Sequence, residues 1–239
     1  MNTYRKNAVM TGVLYFLGTV FGISGALIGG EVLTSIISGK PLAGVDILGL
    51  AAANSSRLTA GAFLTLMMGI SLVAMTVFLY PVLRKASKEL AMGMVLFRGA
   101  LEGIFYFSSA LIILTLVAVG NEYTATGADS AVLQSIGNVL YQFENLKAPV
   151  SSIIFLIGAT CIYLSFYRTR LIPRWLSVWG FIAVVTSMAA ALLNFFHMDP
   201  GIGFYLEMVM FPQELVMAVW LIVKGFNPSA IAALSAKTE

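Results

Sequence analysis

Three ionisable side chains lie inside apolar segments of the sequence, where a charge is costly to place. Arg98 and Glu102 fall in one segment and Glu214 in another. On membrane-insertion scales an ionisable residue at the centre of a helix costs about 2.5–3.5 kcal/mol, so each of the three needs a partner or a function. Arg98 and Glu102 are four residues apart, and this spacing places them on one helix face as an ion pair.

One arginine between two glutamates leaves one excess negative charge. We therefore expect one of the two carboxyl groups to be protonated or to bind a cation, which is the chemistry of a binding or transport site for a small solute or ion. Tyr106 extends the face of Arg98 and Glu102, and Asn194 lies in a neighbouring apolar segment, so both are candidate ligands. Pro212 is expected to interrupt the helix of Glu214, a construction that is common in transporter binding sites.

The same three charges allow two other interpretations. In the first, they form a structural network inside a non-catalytic membrane scaffold or sensor. In the second, they belong to an intramembrane enzyme that modifies lipids. A tunnel to either face of the membrane favours transport, a dry and fully paired triad favours the scaffold, and a lateral opening that holds an acyl chain favours the enzyme.

Motifs of common enzyme classes are missing from the sequence. It contains no His-Glu-x-x-His, no Gly-x-Ser-x-Gly, no phosphate loop and no Rossmann glycine pattern. With one histidine and one cysteine in the chain, we expect no catalytic residues, no metal site and no cofactor, and we favour a protein that is not an enzyme. No run of like charges supports a nucleic-acid partner, although the net charge is +3.

The composition places the chain in a lipid bilayer. Of the 239 residues, 59% are hydrophobic and only 10% are charged, against about 25% charged residues in soluble domains. Long apolar segments must be helices in lipid, where water cannot satisfy the backbone. We predict an all-α polytopic membrane protein with one transmembrane domain, residues 1–239. The six spans are about 8–30, 58–80, 90–119, 149–166, 175–196 and 208–223, and helical outer caps cover about 31–57 and 120–146.

Basic residues predict the orientation of the spans. Ten of the fourteen Lys and Arg residues fall on one side of the membrane: Arg5, Lys6, Arg84, Lys85, Lys88, Arg168, Arg170, Arg174, Lys224 and Lys237. The other side receives Lys40, Arg57 and Lys147. By the positive-inside rule, both termini are cytoplasmic.

Glycines four residues apart mark one face of the first span, at Gly18, Gly22, Gly25 and Gly29. Such spacing lets two helices approach closely. We expect these glycines to pack inside one subunit, and a homodimer seam is the alternative.

Several short motifs together resemble a family of bacterial membrane proteins. They are Leu79-Tyr80, Phe97-Arg98 with Glu102, Ile172-Pro173-Arg174-x-Leu176, Pro212-x-Glu214 and Trp220-Leu221-x-x-Lys224-Gly225-Phe226. The sequence is similar in these positions to domain-of-unknown-function family 4386. The resemblance implies six helices in the bacterial cytoplasmic (inner) membrane and implies no activity. The resemblance also includes a segment of the first outer loop. This segment contains Asp46, Asn54 and Arg57, which are further candidate site residues.

Overall fold

The structure, a computed structural model, describes residues 3–38, 46–127 and 130–236, and for residues 31–32 and 35–38 it describes the backbone alone. All regular secondary structure in these ranges is helical. The elements are α1 (Thr3–Ser38), α2 (Ile47–Ala53), α3 (Ser55–Leu83), α4 (Lys88–Met94), a π-helical segment (Val95–Leu101), α5 (Glu102–Ala125), α6 (Ala131–Thr169), α7 (Arg174–Phe195), α8 (Gly203–Glu207), α9 (Met210–Val223) and α10 (Pro228–Ala236). Lys40 and Lys237 lie outside the described residues.

Six helical stretches in the described ranges are long and apolar enough to cross a membrane, which confirms the predicted number. They are Thr3–Gly30, Ser55–Leu83, Lys88–Ala125, Ala131–Thr169, Arg174–Phe195 and Gly203–Val223. The third stretch combines α4, the π-helical segment and α5, and the sixth combines α8 and α9. The architecture is that of a multi-pass membrane protein.

Local sequence signals explain where several helices begin or turn. Ser87 caps α4, because its Oγ accepts a hydrogen bond from the backbone N of Leu90 at 3.1 Å. Pro173 precedes the first residue of α7, where its fixed φ favours helix entry. Inside α1 the helical geometry is broken at Gly30, which has a φ of 67° that residues other than glycine rarely adopt.

The helix α6 is longer than the span that we predicted within it. It runs for 39 residues and includes Pro149, at which we had placed the start of the fourth span. Glu144 and Lys147 are also part of this helix, whereas the sequence prediction places Glu144 in the second outer cap and Lys147 between that cap and the fourth span. These two residues pair with each other at 2.7 Å, three positions apart, so the helix continues through them without an unpaired charge.

The contacts between residues divide the described chain into two compact units. The first unit consists of the described parts of residues 1–19, 70–103 and 150–239. Its core is rich in large side chains that are less than 2% exposed, among them Tyr163, Phe166, Leu79 and Met94.

The second unit consists of the described parts of residues 20–69 and 104–149. Its core is aliphatic, with Leu33, Leu58, Ile113 and Leu116 fully buried. Leu48 of α2 also belongs to this core, so the short helix α2 is packed rather than exposed.

The glycine face of α1 packs against α3 of the same chain. A Cβ atom at Gly18 would lie 3.0 Å from the side chain of Leu72, one at Gly22 would lie 2.8 Å from Met68, and one at Gly25 would lie 3.4 Å from Leu64. Gly29 lies beside Leu33 of its own helix. The homodimer that the same spacing allows stays a prediction.

Two glycines of α1 offer a matched test of helix packing. A Cβ at Gly12 would lie 2.6 Å from the carbonyl oxygen of Ala218, whereas a Cβ at Gly25 would make contacts of 3.4 Å or more. We expect Gly12→Ala to lower the stability by about 1–3 kcal/mol, because the backbone of α9 must move. Gly25→Ala is expected to be neutral or to stabilise by about 0.5–1 kcal/mol. Thermal unfolding in detergent measures both, and equal effects would contradict the close α1–α9 contact.

Candidate functional site

Arg98 lies in the middle of the π-helical segment, inside the third candidate span. Such segments are rare and frequently occur at functional sites. The backbone of α6 approaches this segment closely, because a Cβ at Gly158 would lie 2.6 Å from the backbone N of Arg98. Glycine at position 158 therefore allows α6 to pack directly on the backbone of the arginine.

The structure brings Arg98, Glu102 and Glu214 together within the first unit. The Nη1 of Arg98 donates to Oε1 of Glu102 in a buried ion pair, and its Nη2 lies 3.2 Å from Oε1 of Glu214. The hydroxyl of Tyr15 bridges the second pair: it accepts from Nη2 of Arg98 at 3.0 Å and donates to Oε1 of Glu214 at 2.7 Å. We call these four residues the charged network.

Aromatic rings cover the guanidinium of Arg98. Its central carbon lies 4.4 Å from the centroid of the Phe155 ring and 5.2 Å from that of Tyr15. A guanidinium over an aromatic face gains electrostatic attraction, and the gain is larger where water is excluded. The cation is therefore held by both carboxylates and by two rings.

The members of the charged network differ in their exposure. The side chains of Arg98 and Glu102 are 2% and 1% exposed, whereas that of Glu214 is 17% exposed. Glu214 lies in α9, which is separated from α8 by a break at Met208 and Val209. This break lies three residues before Pro212, a residue type that disturbs helices by removing a backbone hydrogen bond.

Gln213 fixes α9 beside its neighbours. This side chain is fully buried; its Oε1 accepts from the hydroxyl of Tyr163, and its Nε2 donates to the carbonyl oxygen of Leu176 at 3.1 Å. Because both ends of the amide are satisfied, the rotation of α9 that presents Glu214 to Arg98 is well determined.

The other two candidate ligands are not among the four residues of the charged network. Tyr106 is in the second unit, where its Cβ would be 2.9 Å from a Cβ placed on Gly69. Asn194 is exposed near the end of α7, and its amide nitrogen lies 3.4 Å from the Cβ position of Gly203. Asn194 therefore lies beside the first residue of α8.

The outer-loop candidates bond to the backbone of the second unit. Asp46 is the N-cap of α2 and accepts from the backbone N of Gly49 at 3.0 Å, while Asn54 follows α2 and donates to the carbonyl oxygen of Leu50 at 3.0 Å. The Nε of Arg57 donates to the carbonyl oxygen of Ile28 at 2.9 Å. Each of the three side chains is therefore hydrogen-bonded to backbone atoms of the second unit, and their role in a site stays a prediction.

A second buried charge cluster, which the sequence reasoning missed, lies in the second unit. The ammonium of Lys147 lies 2.7 Å from Oε2 of Glu144, donates to the hydroxyl of Ser109 and donates to the carbonyl oxygen of Phe105 at 3.0 Å. Ser109 in turn donates to Oε1 of Glu144. The side chains of Lys147 and Glu144 are 6% and 4% exposed. The cluster has equal positive and negative charge.

The described residues contain no group of three or more His, Cys, Asp or Glu side chains that is arranged to hold a metal ion. The charged network is a pair of carboxylates that share one guanidinium. Its two carboxylates and one guanidinium have a net charge of −1 when all are ionised, and Glu214 is the more exposed of the two carboxylates.

The cluster at Lys147 can be tested by a double-mutant cycle. We expect Lys147→Met to lower the free energy of unfolding by about 3–5 kcal/mol, because it leaves the Glu144 carboxylate buried without a counter-charge. The double variant Lys147→Met with Glu144→Gln is expected to recover most of this loss. Thermal unfolding in detergent measures these two variants and the single variant Glu144→Gln, which completes the cycle, with the exposed Lys88→Met as the control. Equal loss in the single and double variants would contradict a buried ion pair.

Comparisons with known proteins identify a family. Neither the comparison with curated proteins nor the comparison with solved structures gave a significant match. The model of one family, described as a domain of unknown function (DUF4386), matches residues 10–225. The match spans all the members of the charged network and most of the chain, and it confirms the resemblance that the short motifs carry. The chain belongs to the DUF4386 family of proteins.

Proposed function

We propose that the protein binds a small solute or ion at the charged network and moves it across the membrane, and that the ion is a proton or another small cation. The observation that carries the proposal is the unequal charge around Arg98: one guanidinium, which is 2% exposed, faces two carboxylates. An uncompensated charge is strongly disfavoured in such surroundings. A proton on Glu214, or a cation beside it, removes the excess.

Glu214 is the exchanging group in this proposal. Its side chain is 17% exposed, whereas Arg98 and Glu102 are almost completely buried. When Glu214 takes up a proton, Arg98 keeps its ion pair with Glu102 and the network becomes neutral. When Glu214 releases the proton, the Tyr15 hydroxyl and Arg98 both stabilise the carboxylate, because both contact Oε1.

Two departures from regular helix geometry support the same proposal. Arg98 lies in a π-helical segment. The regular α-helix is interrupted at Met208 and Val209, between α8 and α9 and a few residues before Glu214. Ionisable residues beside interrupted helices at membrane depth commonly mark substrate and ion sites.

A structural charge network in a non-catalytic scaffold or sensor is the second candidate. It is favoured by the enclosure of Arg98, which is 2% exposed and lies between the Phe155 ring, the Tyr15 ring and the backbone of α6 at Gly158. In this alternative, Glu214 stays ionised and only holds α9 in place.

Flux measurements with matched carboxylate variants distinguish the two candidates. We expect purified protein in liposomes that contain a pH-sensitive dye to dissipate an imposed proton gradient, or, in parallel samples that contain a Na⁺- or K⁺-sensitive dye, a gradient of that ion. Glu214→Gln should reduce this flux to the level of protein-free liposomes, because glutamine can neither carry a proton nor balance a cation. Glu102→Gln should also abolish flux, since Arg98 then holds Glu214 as its only carboxylate.

Glu207→Gln is the control, because Glu207 lies in the same candidate span and is exposed. Its flux should equal that of the wild type. Wild-type protein that transports none of the three ions, together with a large loss of thermal stability in Glu214→Gln, would support the structural network instead.

We also propose that the protein resides in the bacterial cytoplasmic membrane with both termini in the cytoplasm. The support is the asymmetry of basic residues: ten of the fourteen Lys and Arg residues fall near the termini, or in or directly beside the loops that join α3 to α4, α6 to α7 and α9 to α10.

Single-cysteine labelling checks this orientation. In a variant that lacks Cys161, the exposed positions Lys88 and Thr126 are replaced one at a time by cysteine. We expect a membrane-impermeant maleimide to label Thr126→Cys in intact cells, and to label Lys88→Cys only after the cytoplasmic membrane is permeabilised. The reverse pattern would show that the termini face outward.

A further inference from the structure

A cleft lies at the basic end of the first unit, away from the residues of the charged network. It has a volume of about 590 Å³ and is formed by the α6–α7 and α9–α10 connections, which include Arg170, Arg174 and Lys224. Trp220 and Phe226 supply aromatic surface to the same cleft. The two connections are tied together, because the backbone N of Asn227 donates to the carbonyl oxygen of Leu171 at 2.9 Å.

The three cations of this cleft have no carboxylate partner in the described parts of the chain, where every ion pair involves Arg98 or Lys147. Arg174 rests on the Tyr167 ring, with 5.0 Å between its central carbon and the ring centroid. The carbonyl oxygens of Ile222 and Val223 at the end of α9 are covered by the guanidinium of Arg5. The negative end of the α9 dipole is therefore partly neutralised beside the cleft, which leaves the cleft electropositive.

An apolar groove adjoins the cleft. It has a volume of about 340 Å³ and lies along one side of α9, where Leu215, Val216, Val219 and Val223 line it. Trp220 and Lys224 line both the groove and the cleft. Val219 and Val223 are 48% and 61% exposed in a candidate membrane span, so the groove is open to lipid.

We propose that the cleft and the groove together form a binding site for an anionic phospholipid. The phosphate lies among Arg170, Arg174 and Lys224, and one acyl chain lies in the groove along α9. Basic pockets between helices at a membrane surface bind anionic headgroups, and each Lys or Arg near the surface contributes about a fivefold gain in affinity. The inference is independent of the proposed ion site, because no residue of the charged network lines the cleft or the groove.

Lipid binding to the full-length protein in detergent tests the proposal. We expect dioleoyl phosphatidylglycerol to raise the unfolding temperature and to remain bound in native mass spectra, and dioleoyl phosphatidylcholine to do neither at the same concentration. The variant Arg174→Gln with Lys224→Gln should weaken phosphatidylglycerol binding about 25-fold, at about fivefold for each cation removed.

The variant Arg84→Gln with Lys88→Gln is the matched control, because it removes the same charge from two exposed positions outside the cleft. It should bind phosphatidylglycerol like the wild type. Equal weakening in both double variants would overturn the proposal, since it would show that the total charge of the basic end attracts the lipid.

The groove and the phosphate source are tested separately. Val219→Trp fills the groove. We expect this variant to bind dioleoyl phosphatidylglycerol more weakly than the wild type does, and to bind the short-chain dihexanoyl phosphatidylglycerol as the wild type does. A loss of binding confined to the long-chain lipid supports the acyl-chain site, and an equal loss for both lipids overturns it.

Inorganic phosphate tests the source of the phosphate group. It should stabilise the wild type far less than the lipid does. If it stabilises the protein equally at equal concentration, the site takes a free anion and the lipid proposal is wrong.

Discussion

A single guanidinium buried between two carboxylates is the interaction on which the first unit depends. Removing the Arg98 guanidinium from water costs several kcal/mol of free energy, about as for any buried ion, and only close partners on several sides offset this cost. Glu102 supplies one partner from the same stretch of helix, and α9 supplies Glu214, whose position Gln213 fixes through Tyr163 and Leu176. The glycine at position 158 lets α6 cover what remains. Helix packing and charge compensation are therefore the same requirement here.

The second unit also contains a buried cation that needs partners, but its charges balance differently. Lys147 has one carboxylate partner, Glu144, and its remaining donors are taken by Ser109 and the carbonyl oxygen of Phe105. The ammonium and the carboxylate of this cluster balance each other in charge. The network around Arg98 has one carboxylate too many for its cation. This difference in charge balance is why the proposed ion site lies at the network around Arg98 and not at the cluster of Lys147.

The spans were predictable because a chain in lipid must satisfy its backbone hydrogen bonds internally, which few structures allow. Apolar segments of sufficient length must be helices there, and the number of candidate spans agrees with the structure. The pairing of Arg98 with Glu102 followed from their spacing on one helix face. Tyr15 and Gln213 were missed because neither has a sequence signature, and their hydroxyl and amide acquire a role only when other helices pack on them. Glu144 and Lys147 were missed because charge is usually a sign of a loop in such a chain, although their spacing of three was a usable signal.

The basic end of the first unit goes beyond what membrane orientation requires. The positive-inside rule acts on any lysine or arginine near the end of a span, with no need for these residues to surround one cleft. Arg170, Arg174 and Lys224 nevertheless line a common space, where like charges repel one another. The described carboxylates do not compensate them. An anion that enters the cleft removes this repulsion, and in our proposal that anion is the phosphate of a bilayer lipid whose acyl chain lies in the neighbouring apolar groove.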